Sequence, residues 1–245
     1  MKYKDSNKII QRGGDLFIVD NSISDWTTVK YLEEWCQIST KFDIATGFFE
    51  IGSLLDLDGK WQQLDSIRIL MGSETTKRTK KLILEALTEN AKSVLDGSIE
   101  KIKDKDPFLR DVPDIVNALK SKKIECRVYN ESKFHAKTYI THGKEGAVGS
   151  KALVGSSNFT HPGLNHNVEL NIQVKLEDEV TQLQEWYEYH WDKAVEINDE
   201  ILDVITPHTR IYSPFEVYTK ALQEFFHSHE LTATEWEESQ SKMFK

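Results

Sequence analysis

The sequence predicts an α/β fold: a mixed β-sheet of about seven strands, flanked by helices on both faces, with further helices at the C-terminal end. Three observations carry that expectation. Short β-branched and aromatic runs alternate with stretches of helical period across residues 16–129. Three short apolar runs then follow closely within residues 134–174. Beyond residue 174 the hydrophobic period becomes helical and stays so.

Residues 1–15 are polar and read as loosely ordered. Leu16, Phe17, Ile18 and Val19 read as a short buried strand. Ser24 is the expected N-cap of a helix over residues 25–38, with Trp26, Val29, Leu32 and Cys36 on one face for core packing. Residues 42–49 read as a strand running into Gly47, and residues 66–71 as a strand ending at Gly72.

A helix is expected over residues 75–95, with Leu82, Ile83, Ala86, Leu87, Val94 and Leu95 at helical spacing. Lys77, Arg78, Lys80 and Lys81 crowd its start, where a helix N-terminus can hold an anion. A solvated charged face is the commoner use of such a run. A charged connector over 96–110 leads to a short helix over 113–120 and a strand over 124–129.

In the run that follows, Phe134 and Ala136 alternate with His135, Lys137 and Tyr139. On a strand, residues two apart share a face, so His135 and Lys137 are expected side by side. Residues 142–146 read as a hairpin loop. A second run, Ala152, Leu153 and Val154, closes on Gly155-Ser156-Ser157-Asn158, and Glu169 lies in a third run over 167–174. A long helix over 177–197 would place Val180, Leu183, Trp186, Tyr187, Trp191 and Val195 against the sheet. Ser213, Pro214 and Glu216 mark the start of a last helix. The expected organisation is one catalytic domain over 1–200 and a helical extension, or linker to a further domain, over 201–245.

The 245 residues carry a net charge of −9, which argues against a general nucleic-acid clamp, since affinity for a phosphate backbone comes mainly from Lys and Arg. Two cysteines, Cys36 and Cys126, make no disulfide framework. No apolar run reaches membrane-spanning length, and the N-terminal residues lack a signal peptide's apolar segment, so a cytoplasmic protein with no membrane contact is expected.

A His, a Lys, an Asn and a Glu near strand ends suit an anionic phosphoryl group. Singly, each is more often structural or solvated. In this order, His135-x-Lys137, then Gly155-Ser156-x-Asn158, then Glu169 resemble the phospholipase D superfamily, and most of all its nuclease branch. The resemblance is sharp over residues 134–174 and architectural before them. One departure stands at His142, where the phospholipases of the family carry Asp.

The resemblance implies a phospholipase D-like phosphodiesterase acting without metal or other cofactor. His135 would be the nucleophile, Lys137 and Asn158 the groups that hold phosphate oxygens, and Glu169 the partner of a histidine ring. Ser156 would shape the loop or bind a phosphate oxygen of the substrate; Lys77 and Arg78 are substrate-binding candidates only from their place at the expected helix start. All eight histidines lie at or beyond His135, and neither His208 nor His227 starts another His-x-Lys. The family's chemistry uses two histidines, so a homodimer with the site on its two-fold axis is expected.

DNA is the expected substrate, in a restriction or defence setting, with a helicase or DNA-recognition domain or partner delivering it. Three rivals remain at this stage: a lipid phosphodiesterase, a non-catalytic dimerisation or DNA-positioning module, and a zinc hydrolase built on His135, His142, His161 and His166. The spacing of those histidines matches no standard zinc motif.

Overall fold

The computed structural model describes residues 16–22, 26–72, 107–144 and 149–209. The chain divides into two units, Met1–Thr209 and Arg210–Lys245, and all described residues lie in the first. The expected helices over 75–95 and from Ser213, and with them Lys77 and Arg78, fall outside the described residues.

The strands are β1 (Ile18–Asp20), β2 (Ser39–Thr46), β3 (Ser66–Gly72), β4 (Ile124–Tyr129), β5 (Thr138–Gly143), β6 (Lys151–Gly155), β7 (Leu170–Val174) and β8 (Val195–Glu196). The helices are α1 (Thr28–Ile38), α2 (Gly52–Asp56), α3 (Pro107–Lys120), α4 (His161–Asn165), α5 (Glu177–Asp192) and α6 (Asn198–Thr209). One mixed sheet runs in the order β1-β7-β6-β5-β2-β3-β4-β8. β2, β3 and β4 are parallel, and every other pairing is antiparallel. The fold class is the expected one, with eight strands where about seven were read.

The strands bury opposite faces because alternate residues point opposite ways. Phe42, Ile44, Ile67, Ile69 and Leu153 join the core on the side of α1 and α2. Ala45, Leu70, Ile140 and Ala152 join a second core under Val180, Tyr187 and Trp191 of α5. Burying each such large side chain contributes roughly 1.5–3 kcal/mol.

Three local expectations are corrected. The N-cap of α1 is Thr27, whose hydroxyl accepts from Lys30 N, and not Ser24. β5 begins at Thr138, so His135 and Lys137 lie on extended chain just before the ladder. The helix expected over 177–197 ends at Asp192, and Val195 is an exposed residue of the edge strand β8. That turn is fixed from outside the segment. Asn198 is buried, accepts from Cys126 N at 2.7 Å and donates to Leu119 O and Ile124 O, which ties the start of α6 to β4.

Candidate functional site

The ladder register brings four chain ends together. Ala45 pairs with Thr138, so the exit of β2 meets the entry of β5. Thr138 pairs with Val154, and Gly155 pairs with Asn171, so the exit of β6 and the entry of β7 arrive at the same edge. Lys137 O accepts from Gly155 N at 3.2 Å across this seam.

Lys137 Nζ donates to the carbonyl oxygen of His135 at 2.7 Å and lies 3.4 Å from its Nδ1. The expected side-by-side placement holds, although an extended loop supplies it rather than a strand. His135 is exposed and Lys137 half-buried. Burial pushes the Lys137 ammonium below the ordinary lysine range, and the charge of Glu169 partly restores it. Asn158 enters from the β6 exit, and its Oδ1 accepts from Phe48 N at 3.1 Å.

Gly47 forms the floor between these groups. A Cβ there would lie 3.1 Å from Asn158 Oδ1 and 3.3 Å from Lys137 Nζ. The Phe48 ring meets the His135 ring edge-on at 6.2 Å. Sequence reasoning missed Gly47 and Phe48 as site residues. The only signal was a strand running into a glycine.

The Gly-Ser-Ser-Asn stretch has a distinct physical reason at each position. At Gly155 any Cβ would overlap Leu170 O and Asn171, because β7 starts against it. Ser156 Oγ donates to Glu169 and accepts from Leu170 N. Ser157 is buried and bonded through its hydroxyl to Asn171, while Tyr139 OH donates to Ser157 O at 2.8 Å. Thr46 Oγ1 accepts from Phe159 N and donates to Phe48 O, which locks the Asn158 loop to the exit of β2.

Glu169 is half-buried and accepts from Ser156 and from Asn167 Nδ2. Among the described residues, no histidine of the same chain donates to it.

The other histidines do not join His135. His142 Nε2 lies 2.9 Å from Asp43 Oδ2 at the far end of β5. His142-Gly143-Lys144 also spells His-x-Lys, a repeat the sequence reading did not weigh, but it pairs with the entry of β2, away from the seam. His161 Nδ1 lies 2.8 Å from Asp56, with the His166 ring 5.0 Å away. Among the described residues, no three His, Cys, Asp or Glu side chains converge as a metal site.

A mixed sheet between helical layers, with phosphate-compatible groups gathered at its strand ends, defines a phospholipase D-like α/β protein. The family described as "Cardiolipin synthase, PLD-like domain" matches residues 62–191, more than half of the chain, and the chain belongs to that family. No curated protein matches it. The fold is similar to Nuc, a phospholipase D family member from Salmonella typhimurium, at TM-score 0.46 and 13% identity over 73% of this chain and 95% of that one. It is similar to NucT from Helicobacter pylori at TM-score 0.46 and 10% identity, over 73% and 96%. It is also similar to TrmBL2, an archaeal chromatin protein, at TM-score 0.40 and 15% identity, over 73% and 52%.

Proposed function

We propose that this protein is a metal-independent phosphodiester hydrolase acting on DNA, as a dimer, through a covalent phosphohistidine. The observation that carries the reading is the Lys137 ammonium beside the His135 ring, with Asn158 across Gly47. A ring nitrogen of His135 bonds to phosphorus as the bond to the leaving oxygen breaks. His135 of the second copy gives that oxygen a proton, then takes one from the water that releases the phosphohistidine. Lys137 and Asn158 Nδ2 offset charge on the non-bridging oxygens. Losing Asn158 would cost roughly 10²–10³ in kcat, as for an oxyanion-hole donor. Glu169 would fix the tautomer of a histidine from the second copy, since among the described residues none of its own chain reaches it.

An acidic chain of this kind suits a role in restriction or defence in which a helicase, or a DNA-recognition domain or partner, delivers the DNA. The catalytic unit would span residues 1–200, with 201–245 as an extension.

A second reading, cleavage of a phospholipid phosphodiester, is favoured by the lipid synthase in the family's description. His142, where the family's phospholipases carry Asp, weighs against it.

Cleavage of plasmid and single-stranded DNA, and of phosphatidylglycerol vesicles, measured in EDTA for wild type and His135→Ala, separates the readings. DNA cleavage that survives EDTA and is lost in His135→Ala is expected. Cleavage abolished by EDTA and restored by Mg²⁺ or Zn²⁺ would sink the mechanism.

A further inference from the structure

The C-terminal end of α5 brings a row of rings to the site edge. β3 and β4 end side by side there, with Gly72 paired to Tyr129. The chain then returns over Gly72, where a Cβ would lie 2.8 Å from Phe134 O. Phe134 is the residue before His135, and its ring stacks on Trp186 of α5 at 6.0 Å and 24°. The Trp186 ring lies 4.4 Å from the His190 ring, and the His190 ring 5.2 Å from that of Tyr189. Phe134 is buried, Trp186 half-buried and Tyr189 57% exposed, so the row runs from beside the nucleophile candidate out to the surface. Core packing accounts for Phe134 and Trp186, which join the apolar cluster under α5. It does not account for Tyr189, which lies outside that cluster. Tyr189 is nonetheless held in place. Lys193 Nζ donates to its OH at 2.8 Å, stands 4.4 Å from the ring centroid, and is itself anchored on Glu131 at 3.2 Å. His190 is fixed behind it, with Nδ1 donating to Trp186 O at 2.8 Å.

We infer that Tyr189, backed by the row through His190 and Trp186 to Phe134, is a stacking platform for an unpaired base of single-stranded DNA whose phosphodiester lies at His135. The inference rests on the phosphodiesterase reading above and names the strand state of its substrate. A ring already fixed through its OH and its neighbours loses little freedom when a base lies on it. Every base has a π-face, so such a ring holds a strand without reading its sequence. In a duplex those faces are already stacked on one another, and only an unpaired base can offer one without an unstacking cost. Charge along the row suits the strand's phosphates: Lys133 is exposed two residues before His135, and Lys193 stands beside Tyr189. Glu131 offsets part of the Lys193 charge, so the ring, and not a basic patch, supplies most of the hold. That is how a chain of net charge −9 can keep a nucleic-acid strand at its site.

The test uses the full-length protein in EDTA and one labelled oligonucleotide, offered single-stranded, annealed to its complement, and single-stranded with an abasic residue at each position flanking the cleaved phosphate. Wild type should cleave the single strand with the higher kcat/KM. Tyr189→Ala should raise KM for it by roughly 5- to 150-fold, the range for one base stacked on one ring, with kcat changed far less. Tyr189→Phe keeps the ring and loses the Lys193 bond, and should restore most of the affinity. Removing the stacked base should weaken wild type by the same factor and Tyr189→Ala hardly further, a non-additivity that a defect in α5 would not produce. Fluorescence anisotropy of the single strand on His135→Ala, with and without Tyr189→Ala, should show the same loss without cleavage. Equal binding by those two proteins, or an equal loss for intact and abasic strands, overturns the platform and leaves the hydrolase reading standing. Tyr189-dependent binding by a wild type that cleaves nothing overturns the hydrolase reading and leaves the platform. Phosphatidylglycerol vesicles held through Tyr189, by a protein whose hold on the oligonucleotide ignores it, make the ring a lipid contact and overturn the inference.

Discussion

The Lys137 ammonium donates to the carbonyl oxygen of His135 at 2.7 Å and stands 3.4 Å from Nδ1 of the same residue. One side chain therefore anchors the backbone of the nucleophile candidate and sets a positive charge beside its ring. The two-residue spacing makes this possible, because extended chain puts His135 and Lys137 on one side. The cost is burial of the ammonium.

That cost gives the first prediction. Burial lowers the Lys137 pKa and Glu169 opposes the shift. A lowered value means the proton leaves earlier as pH rises. The alkaline limb of kcat/KM should therefore fall below the ordinary lysine value of about 10.4. Lys137→Arg should remove the limb while keeping a cation, and Glu169→Gln should move it to still lower pH. A pH–rate profile of the three proteins checks this, and a limb unmoved in Lys137→Arg would assign it to another group.

The second prediction concerns the floor of the site. In Gly47→Ala the new Cβ would sit 3.1 Å from Asn158 Oδ1 and 3.3 Å from Lys137 Nζ. Both contacts are tight, and both neighbours must give by a few tenths of an ångström. Activity should fall by roughly tenfold or more, because small misplacements at reacting groups are costly. The melting temperature should change little. Steady-state kinetics beside a thermal melt separates this from simple unfolding.

Gly47 also shows how far the sequence could be read. The motif was legible because its pieces sit at strand ends, where position along the chain already limits what they can touch. Gly47 and Phe48 were not, because their relevance comes from the β2–β5 pairing and from Thr46 bonding to Phe159 N. The direction of β7 was equally hidden. Its alternation is plain, but only Thr28 and Tyr31 of α1 decide that Asn171 and Gln173 turn inward. β8 is two residues long, too short for any period, and the pattern of α5 ran through it.

The third prediction concerns acid. Burial alone would raise the Asp43 carboxyl, but Arg68 and His142 outweigh it and hold the value below the ordinary range. Arg68 forks onto Asp43 at 2.6 and 2.7 Å and onto Glu188 at 2.6 and 2.9 Å, and Gln184 Nε2 adds a bond to Asp43. A folded value below the unfolded one means that the stability it contributes is present above the unfolded pKa, about 3.9, and is lost as pH falls through the folded value. Asp43→Ala should cost roughly 3–5 kcal/mol near neutral pH, since it leaves Arg68 partly unpaired. His142→Asp, which restores the residue common among the family's phospholipases, should destabilise by setting a second carboxylate against Asp43. Denaturant melts across the acid range check both.

The last prediction divides the labour of the site. If His135 forms a bond to phosphorus, acid quenching during turnover should leave labelled phosphoryl on wild type and none on His135→Ala. Lys137→Ala and Asn158→Ala should still carry label, more slowly, because each keeps the nucleophile. Mixed dimers sharpen the test. A dimer of one His135→Ala chain and one Lys137→Ala chain has a single histidine at the shared cavity and should be nearly inactive, because attack and proton transfer each need one. Two independent sites would leave it with the weak activity of the Lys137→Ala subunit. Inversion of stereochemistry at phosphorus, with no label on wild type, would mean that water attacks directly. His135 would then act on a proton rather than on phosphorus, and Lys137 would serve the phosphate alone.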